Sequence, residues 1–490
     1  MRNFLICLFL FVAAISLYLF TIAPGPLWGD SASHILYTYD IRFTAAHGFY
    51  PMHTVMGRMA RQLMPSEVAL SQNLLSAFMG GLAIPLLFLI VFTITGSRFS
   101  AVAAALSFMV SHTFWLLSVI NESYTLNLFI LSLLFLFLAV WLKYGKPVFL
   151  YAFAFVFSLS FFAGYAVLIF APAAGYIFLK EKKLFKSAGI KNTVFYFLLG
   201  LLPWLYCLAS DFAKSPSPGE FAIWLKQYAM YNQFARALEP RQFLTEIFKY
   251  PFYLFYQFPM AGFLLGIFAM IKARKNTIAF SGLILFLSVI VYASLFYYQR
   301  HFYIYVYSYL AFAVFIGLGA GMIARGKNWR YRAAVISLLV AFPVFSYVFA
   351  GRFFSGNNIF FAARDIPYRD TVRYFLCPSK RGYHGTYEYA RDAFGRTKKG
   401  DTIIADYSIL TVLTYFKEVE KIGGAGVKLV LDEVINIPEY VAEKISGPGG
   451  VYLADNEDFY EIGKLEKEYD IIPAGVLYKL RKKSIEVGLR

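Results

Sequence analysis

Acid is scarce over the first 351 residues, where 25 Lys and Arg stand against nine Asp and Glu. No acid lies well inside any hydrophobic run, which counts against a transport pathway, because transporters place ionisable groups near mid-membrane. Cysteine is scarcer still. Cys7, Cys207 and Cys377 stand too far apart for a disulfide framework or a CxxC metal pair. The segment after Gly351 has no glycine-rich nucleotide loop and no nucleophile elbow, which leaves docking or shaping a site as its role. What the chain does have is apolar sequence, 59% hydrophobic and 20% aromatic. Runs of about 17–25 apolar residues separated by short basic loops read as membrane-spanning helices.

The net charge of +17 is a topology signal rather than a nucleic-acid signal. Sixteen basic residues sit at the N-terminus or in "GSRFS", "KYGK", "KEKKLFKSAGIK", "KARKN" and "RGKNWRYR", together with one acid, Glu181. The positive-inside rule makes these the cytoplasmic loops. The remaining loops hold nine basic and eight acidic residues and face outward. About eleven spans are expected, near 3–23, 73–95, 100–120, 124–142, 147–163, 164–180, 193–210, 251–271, 277–298, 302–324 and 333–350. The opening run reads as an uncleaved first helix, and the odd count places the C-terminal segment outside.

The expected architecture is an α-helical polytopic membrane domain over 1–351, followed by a small extracytoplasmic α/β domain over 352–490. The second segment is nearly neutral, with 21 basic and 20 acidic residues. In it "GDTIIADYSI" reads as a strand, "LTVLTYFKEVEKI" as a helix and "GVKLVLDEVI" as a strand, and the alternation continues.

Two carboxylates stand closest to the bilayer on its outer side. Asp30 follows the first span, and Glu122 lies in the tight turn of "VINESYTLN". Such a pair suits a general-base site whose apolar surroundings adjust the acids. On spacing alone a solvated loop aspartate explains Asp30 equally well, and a helix N-terminal acid explains Glu122 better. His34, His47 and His53 share the first outer loop, but their spacing matches no metal motif, and no metal or other cofactor is expected. Arg300 and His301 sit at the outer mouth of the tenth span, where cations can hold a phosphate or meet lipid head groups.

Five stretches in order resemble a known family. Gly29, Asp30 and Ser31 follow the first span, and Ala46, His47, Tyr50 and Pro51 come next. Asn73 and Ser76 open the second span, and Phe114, Trp115, Glu122, Tyr124, Leu126 and Asn127 frame the third and fourth. Pro203, Leu205 and Tyr206 complete the set. The pattern is similar to the membrane glycosyltransferases of the GT-C class, in particular the protein-O-mannosyltransferase-like family. The chain departs from that family at Ser33, where a glutamate is expected, in the shortened "GFYP", and near Gly164 and Tyr165, where a histidine is missing. These departures bear on sugar and acceptor.

The resemblance implies transfer of a sugar from a polyprenyl-phosphate donor to an extracytoplasmic acceptor (a protein hydroxyl, a glycan or a lipid) at a plasma (inner) membrane. It implies Asp30 as general base, Glu122 as a second acid, and Arg300 with His301 at the donor phosphate. His34, His47, Tyr50, His53, Trp115 and Tyr124 would line the substrate pocket. The rivals are a transporter or flippase of lipid-linked sugars and a non-catalytic scaffold of envelope assembly. Reporter fusions after Lys275 and after Arg490 check the topology. The first is expected to read inside and the second outside, and an inward reading at Arg490 removes one span.

Overall fold

The computed structural model describes residues 1–46, 49–215, 217–224, 240–272, 276–295, 302–354 and 364–483. Among these, seven helices are long and apolar enough to cross a membrane: Arg2–Thr21, Val68–Thr95, Tyr124–Tyr144, Ile190–Lys214, Thr277–Ser294, Phe302–Ile323 and Trp329–Phe353. Each coincides with an expected span. The basic loops end these helices by local chemistry. Gly96 and Gly145 both close a helix at φ 67°, where a side chain would be strained. Ser97 and Asn328 then cap the helices that follow, accepting from the backbone N–H groups of Ser100 and Tyr331.

The other four expected spans are shorter or broken. Residues 100–120 are not one helix but Arg98–Met109 followed by His112–Leu117. The run 147–180 divides at Gly164, φ 132°, into two shorter apolar segments, as its two expected crossings require. The span expected at 251–271 is instead a bent pair: Phe243–Gln257 and Ala261–Lys272 meet at 119°, with Met260 at φ 51° in the corner. A left-handed non-glycine residue of this kind leaves no trace in hydropathy.

The helix Phe302–Ile323 is the most buried of the seven and forms the centre of the bundle. Small residues let its neighbours approach. A Cβ at Gly317 would fall 2.5 Å from Ser100 O, and one at Gly319 would fall 2.3 Å from Leu265 O. Lipid gives no hydrophobic gain to helix association, so such close backbone packing supplies the contact energy.

The C-terminal segment is a small α/β domain around a five-stranded mixed sheet of order β2-β1-β3-β5-β4. The strands are β1 (Thr402–Ala405), β2 (Lys428–Leu431), β3 (Val451–Leu453), β4 (Tyr469–Ala474) and β5 (Leu477–Lys482). β1 pairs in parallel with β2 and β3, and β5 pairs antiparallel with β3 and β4. "GDTIIADYSI" yields only the four residues of β1. Asp406 then caps the helix Tyr407–Tyr415 by accepting from Ser408 N, so Tyr407 and Ser408 are helical and not strand.

The core of this domain reaches beyond its own segment. Trp28, Ala32 and Ile35 of the loop after the first helix, with Val68 and Ala69, belong to the same buried cluster as Tyr389, Ile409, Val412 and Leu413. Trp28 packs edge-on against Tyr389 at 5.4 Å, and its Nε1 donates to Tyr383 Oη at 2.7 Å. Truncating a buried tryptophan costs about 3–5 kcal/mol. Trp28→Ala is therefore expected to lower the melting temperature of the detergent-purified protein and to open the junction near residue 352 to protease. An unchanged cleavage pattern would show that the domain holds itself in place.

Candidate active site

One helix end fastens both loops that carry the candidate acids. Asn73 and Ser76 lie three residues apart on one face of Val68–Thr95. Asn73 Nδ2 donates to the carbonyls of Ala23 at 2.9 Å and Gly25 at 3.2 Å, holding the first outer loop. Ser76 Oγ accepts from Glu122 N at 3.2 Å, holding the turn before Tyr124–Tyr144. The two loops also bond each other. Ala23 N donates to Val119 O at 3.0 Å, and Asn121 Nδ2 donates to Ser31 O at 3.2 Å. Trp115 is buried and spends its indole N–H on Thr21 Oγ1 at 2.8 Å, which fixes the exit of the first helix.

Asp30 opens the helix Asp30–Tyr37, where a negative charge suits the helix N-terminus. Gly29 precedes it at φ 71°, a left-handed conformation that glycine adopts without strain. The C-terminal domain grips this corner. Gly29 N donates to Ser408 O at 3.3 Å, and Thr411 Oγ1 donates to Gly29 O at 3.2 Å. The Tyr407 hydroxyl donates to Asp30 Oδ1 at 2.9 Å and stands 2.8 Å from Ser33 Oγ. Asp30 is otherwise exposed.

Glu122 has a contrasting environment. It is only 7% exposed, and burial holds its carboxyl well above the ordinary range, with the charge of Asp30 adding to the effect. His34 lies beside it, Nε2 to Oε2 3.9 Å, too long for a hydrogen bond. Burial lowers His34 more than Asp30 raises it. Burial thus disfavours the charged form of both partners.

His34, Tyr50 and His53 are brought together. The ring of His34 lies 5.5 Å from that of Tyr50 and 5.2 Å from that of His53. Burial pushes His53 down to about 3, and its Nε2 has no hydrogen-bond partner. Tyr50 is bonded to Ser123, and its ring sits 2.9 Å from where a Cβ of Gly164 would be. Tyr124 faces Tyr307 at 6.1 Å. Among the described residues no group of three His, Cys, Asp or Glu side chains could hold a metal ion. His47, Arg300 and His301 lie outside the described residues. Sequence reasoning missed Tyr407, Ser33 and Tyr307. The only prior signal was Ser33, standing where the similar family has an acid.

The profile of the Protein O-mannosyl-transferase TMEM260 N-terminal domain matches residues 30–187, the stretch that contains both acids and their fastenings. Protein O-mannosyl-transferase TMEM260 of Mus musculus is 29% identical over 214 residues, which is 41% of this chain and 30% of that protein. The chain thus matches under a third of the length of that curated relative. Among solved structures, ArnT from Cupriavidus metallidurans in the apo state superposes with a TM-score of 0.59 at 13% identity, over 96% of this chain and 97% of that one. The apo oligosaccharyltransferase of Archaeoglobus fulgidus gives 0.56 at 12% identity, over 99% and 75%. The oligosaccharyltransferase AglB of the same organism, in complex with an inhibitory peptide and a dolichol-phosphate, gives 0.53 at 12% identity, over 99% and 75%. The chain is thus a polytopic membrane protein of the GT-C fold shared with ArnT and AglB, and its residues 30–187, which carry both acids and their fastenings, are similar to the protein O-mannosyl-transferase TMEM260 N-terminal domain.

Proposed function

We propose that the protein transfers a sugar from a polyprenyl-phosphate donor to an extracytoplasmic hydroxyl acceptor, with Asp30 as general base. One observation carries the reading: two carboxylates share a site in opposite environments, Asp30 exposed and Glu122 buried. Environments that separate two acids in this way are how enzymes divide base and proton-holding roles. Asp30 takes the acceptor proton as the acceptor oxygen bonds to the anomeric carbon. The carbon–oxygen bond to phosphate breaks, and polyprenyl phosphate leaves. Glu122, holding its proton, orients Asp30 or the acceptor. Arg300 and His301 neutralise the departing phosphate. His34, His47, Tyr50, His53, Trp115 and Tyr124 shape the pocket. The dolichol-phosphate held by the structurally similar AglB supports a lipid-phosphate donor, and the matched O-mannosyl-transferase domain supports a hydroxyl acceptor. The basic loops support an N-terminus inside and the α/β domain outside the plasma membrane.

Asp30→Asn is nearly isosteric and is expected to reduce transfer from a radiolabelled polyprenyl-phosphate sugar by about 10²–10⁴-fold at normal expression. Wild-type transfer by that variant would remove Asp30 from the chemistry. Tyr407→Phe deletes one hydrogen bond to a charged group, worth about 1.5–3 kcal/mol, and should cut transfer about tenfold or more without loss of folded protein. Glu122→Gln gives a separate, pH-dependent readout. Because the folded carboxyl is raised, the folded state keeps its proton where the unfolded state has lost it. Wild-type stability therefore falls as pH rises from the ordinary glutamate range toward the raised value. Glu122→Gln should flatten that fall in a melting series while impairing transfer, and an unchanged slope would mean that Glu122 is not buried as described.

A further inference from the structure

A cavity of about 490 Å³ lies where the last long helix meets the C-terminal domain, lined by Val348, Gly351, Arg352, Arg373 and Cys377. Arg352 occupies the last turn of Trp329–Phe353, and Arg373 comes from the short helix Thr371–Leu376 packed against it. Gly351 permits the approach: a Cβ there would sit 3.4 Å from Cys377 Cβ and 4.0 Å from Arg373 Cγ. Neither guanidinium has a carboxylate within ion-pair distance among the described residues. A second cavity of about 180 Å³ shares Arg373 and adds Lys380 and Arg381, with Asp370 its one acid. Arg373 thus borders both hollows, while Lys380 spends its ammonium group on the carbonyls of Tyr374 and Cys377. A cation at a helix C-terminus answers the helix dipole and would explain Arg352 alone. It does not explain a second guanidinium brought to the same hollow from another helix.

The approach to the hollow is apolar. Phe345, Phe349 and Phe353 recur every fourth residue on the same helix, stack at 6.0 and 5.3 Å, and are exposed along with Val348. A cationic pocket at the end of an exposed aromatic strip fits an amphiphile with an anionic head. We propose that Arg352 and Arg373 hold the phosphate head group of a membrane lipid, whose chain lies along Phe345, Phe349 and Phe353. Guanidinium forks match phosphate oxygens in pairs, and two of them set the head group at a fixed depth. The shared chemistry is a lipid phosphate, whether of a polyprenyl carrier or of a bilayer phospholipid. The site rests on the membrane-spanning fold and stands independently of the transfer reaction.

Cys377 lines the cavity and reports on it. In the full-length protein carrying Cys7→Ser and Cys207→Ser, the rate of maleimide labelling at Cys377 is measured in detergent. The probes are a short-chain polyprenyl phosphate, phosphatidylglycerol and inorganic phosphate. One of the lipids is expected to slow labelling, the carrier if it protects at lower concentration than phosphatidylglycerol, a bilayer lipid if the order is reversed. R352Q/R373Q should raise the half-protecting concentration about tenfold or more, and R352K/R373K, which keeps the charge but not the fork, should lie between it and wild type. Asp30→Asn should protect like wild type, which separates this site from the proposed transfer chemistry. Equal lipid protection in R352Q/R373Q of unchanged melting temperature would overturn the proposal. Protection by inorganic phosphate at the same concentration as the lipids would also overturn it, because the chain would then contribute nothing.

Discussion

The amide of Asn73, shared between the carbonyls of Ala23 and Gly25, is the interaction on which the site depends. The chain leaving the first helix runs through buried space, where unpaired backbone carbonyls are costly. An apolar helix end offers nothing to satisfy them, so a donor must come from a side chain. Asn73 supplies two bonds to the first loop, and Ser76, one turn on, supplies the partner for Glu122 N. Glu122 is therefore placed by a rigid helix end that also holds the loop leading to Asp30, and Asp30 itself is fixed by that loop together with the C-terminal domain. Geometry for catalysis must be held to fractions of an ångström, and a helix terminus can do that.

The environment of the acids follows from the same arrangement. Asp30 heads a helix at the rim, under a tyrosine from the C-terminal domain, and remains open to one side. Glu122, its backbone N–H bonded to Ser76, is buried beside His34. Burial, with the charge of Asp30 added, raises its carboxyl.

The membrane architecture was legible because long apolar runs have few alternatives in water. Its breaks were not. The corner at Met260 is a backbone conformation, and the interruption between Met109 and His112 falls at the short polar stretch Ser111–Thr113, too brief to end an apolar run. Asp30 and Glu122 stood out because acid is rare where they occur, and the structure does place them in neighbouring, mutually bonded loops. Tyr407 was illegible for a different reason. Its segment reads as strand and core helix, and its hydroxyl meets Asp30 across 377 residues of chain.

That separation orders the making of the protein. The loop after the first helix is made 377 residues before the tyrosine that bonds its aspartate. Until the helix Tyr407–Tyr415 exists, Trp28, Ala32 and Ile35 lack the partners Ile409, Val412 and Leu413, and the Gly29 carbonyl has no hydroxyl to accept from. The corner bearing Asp30 must wait, incompletely packed, until that helix has been made. A chain that lacks it carries the acid without its setting, and the corner is completed only when the helix Tyr407–Tyr415 has folded against it.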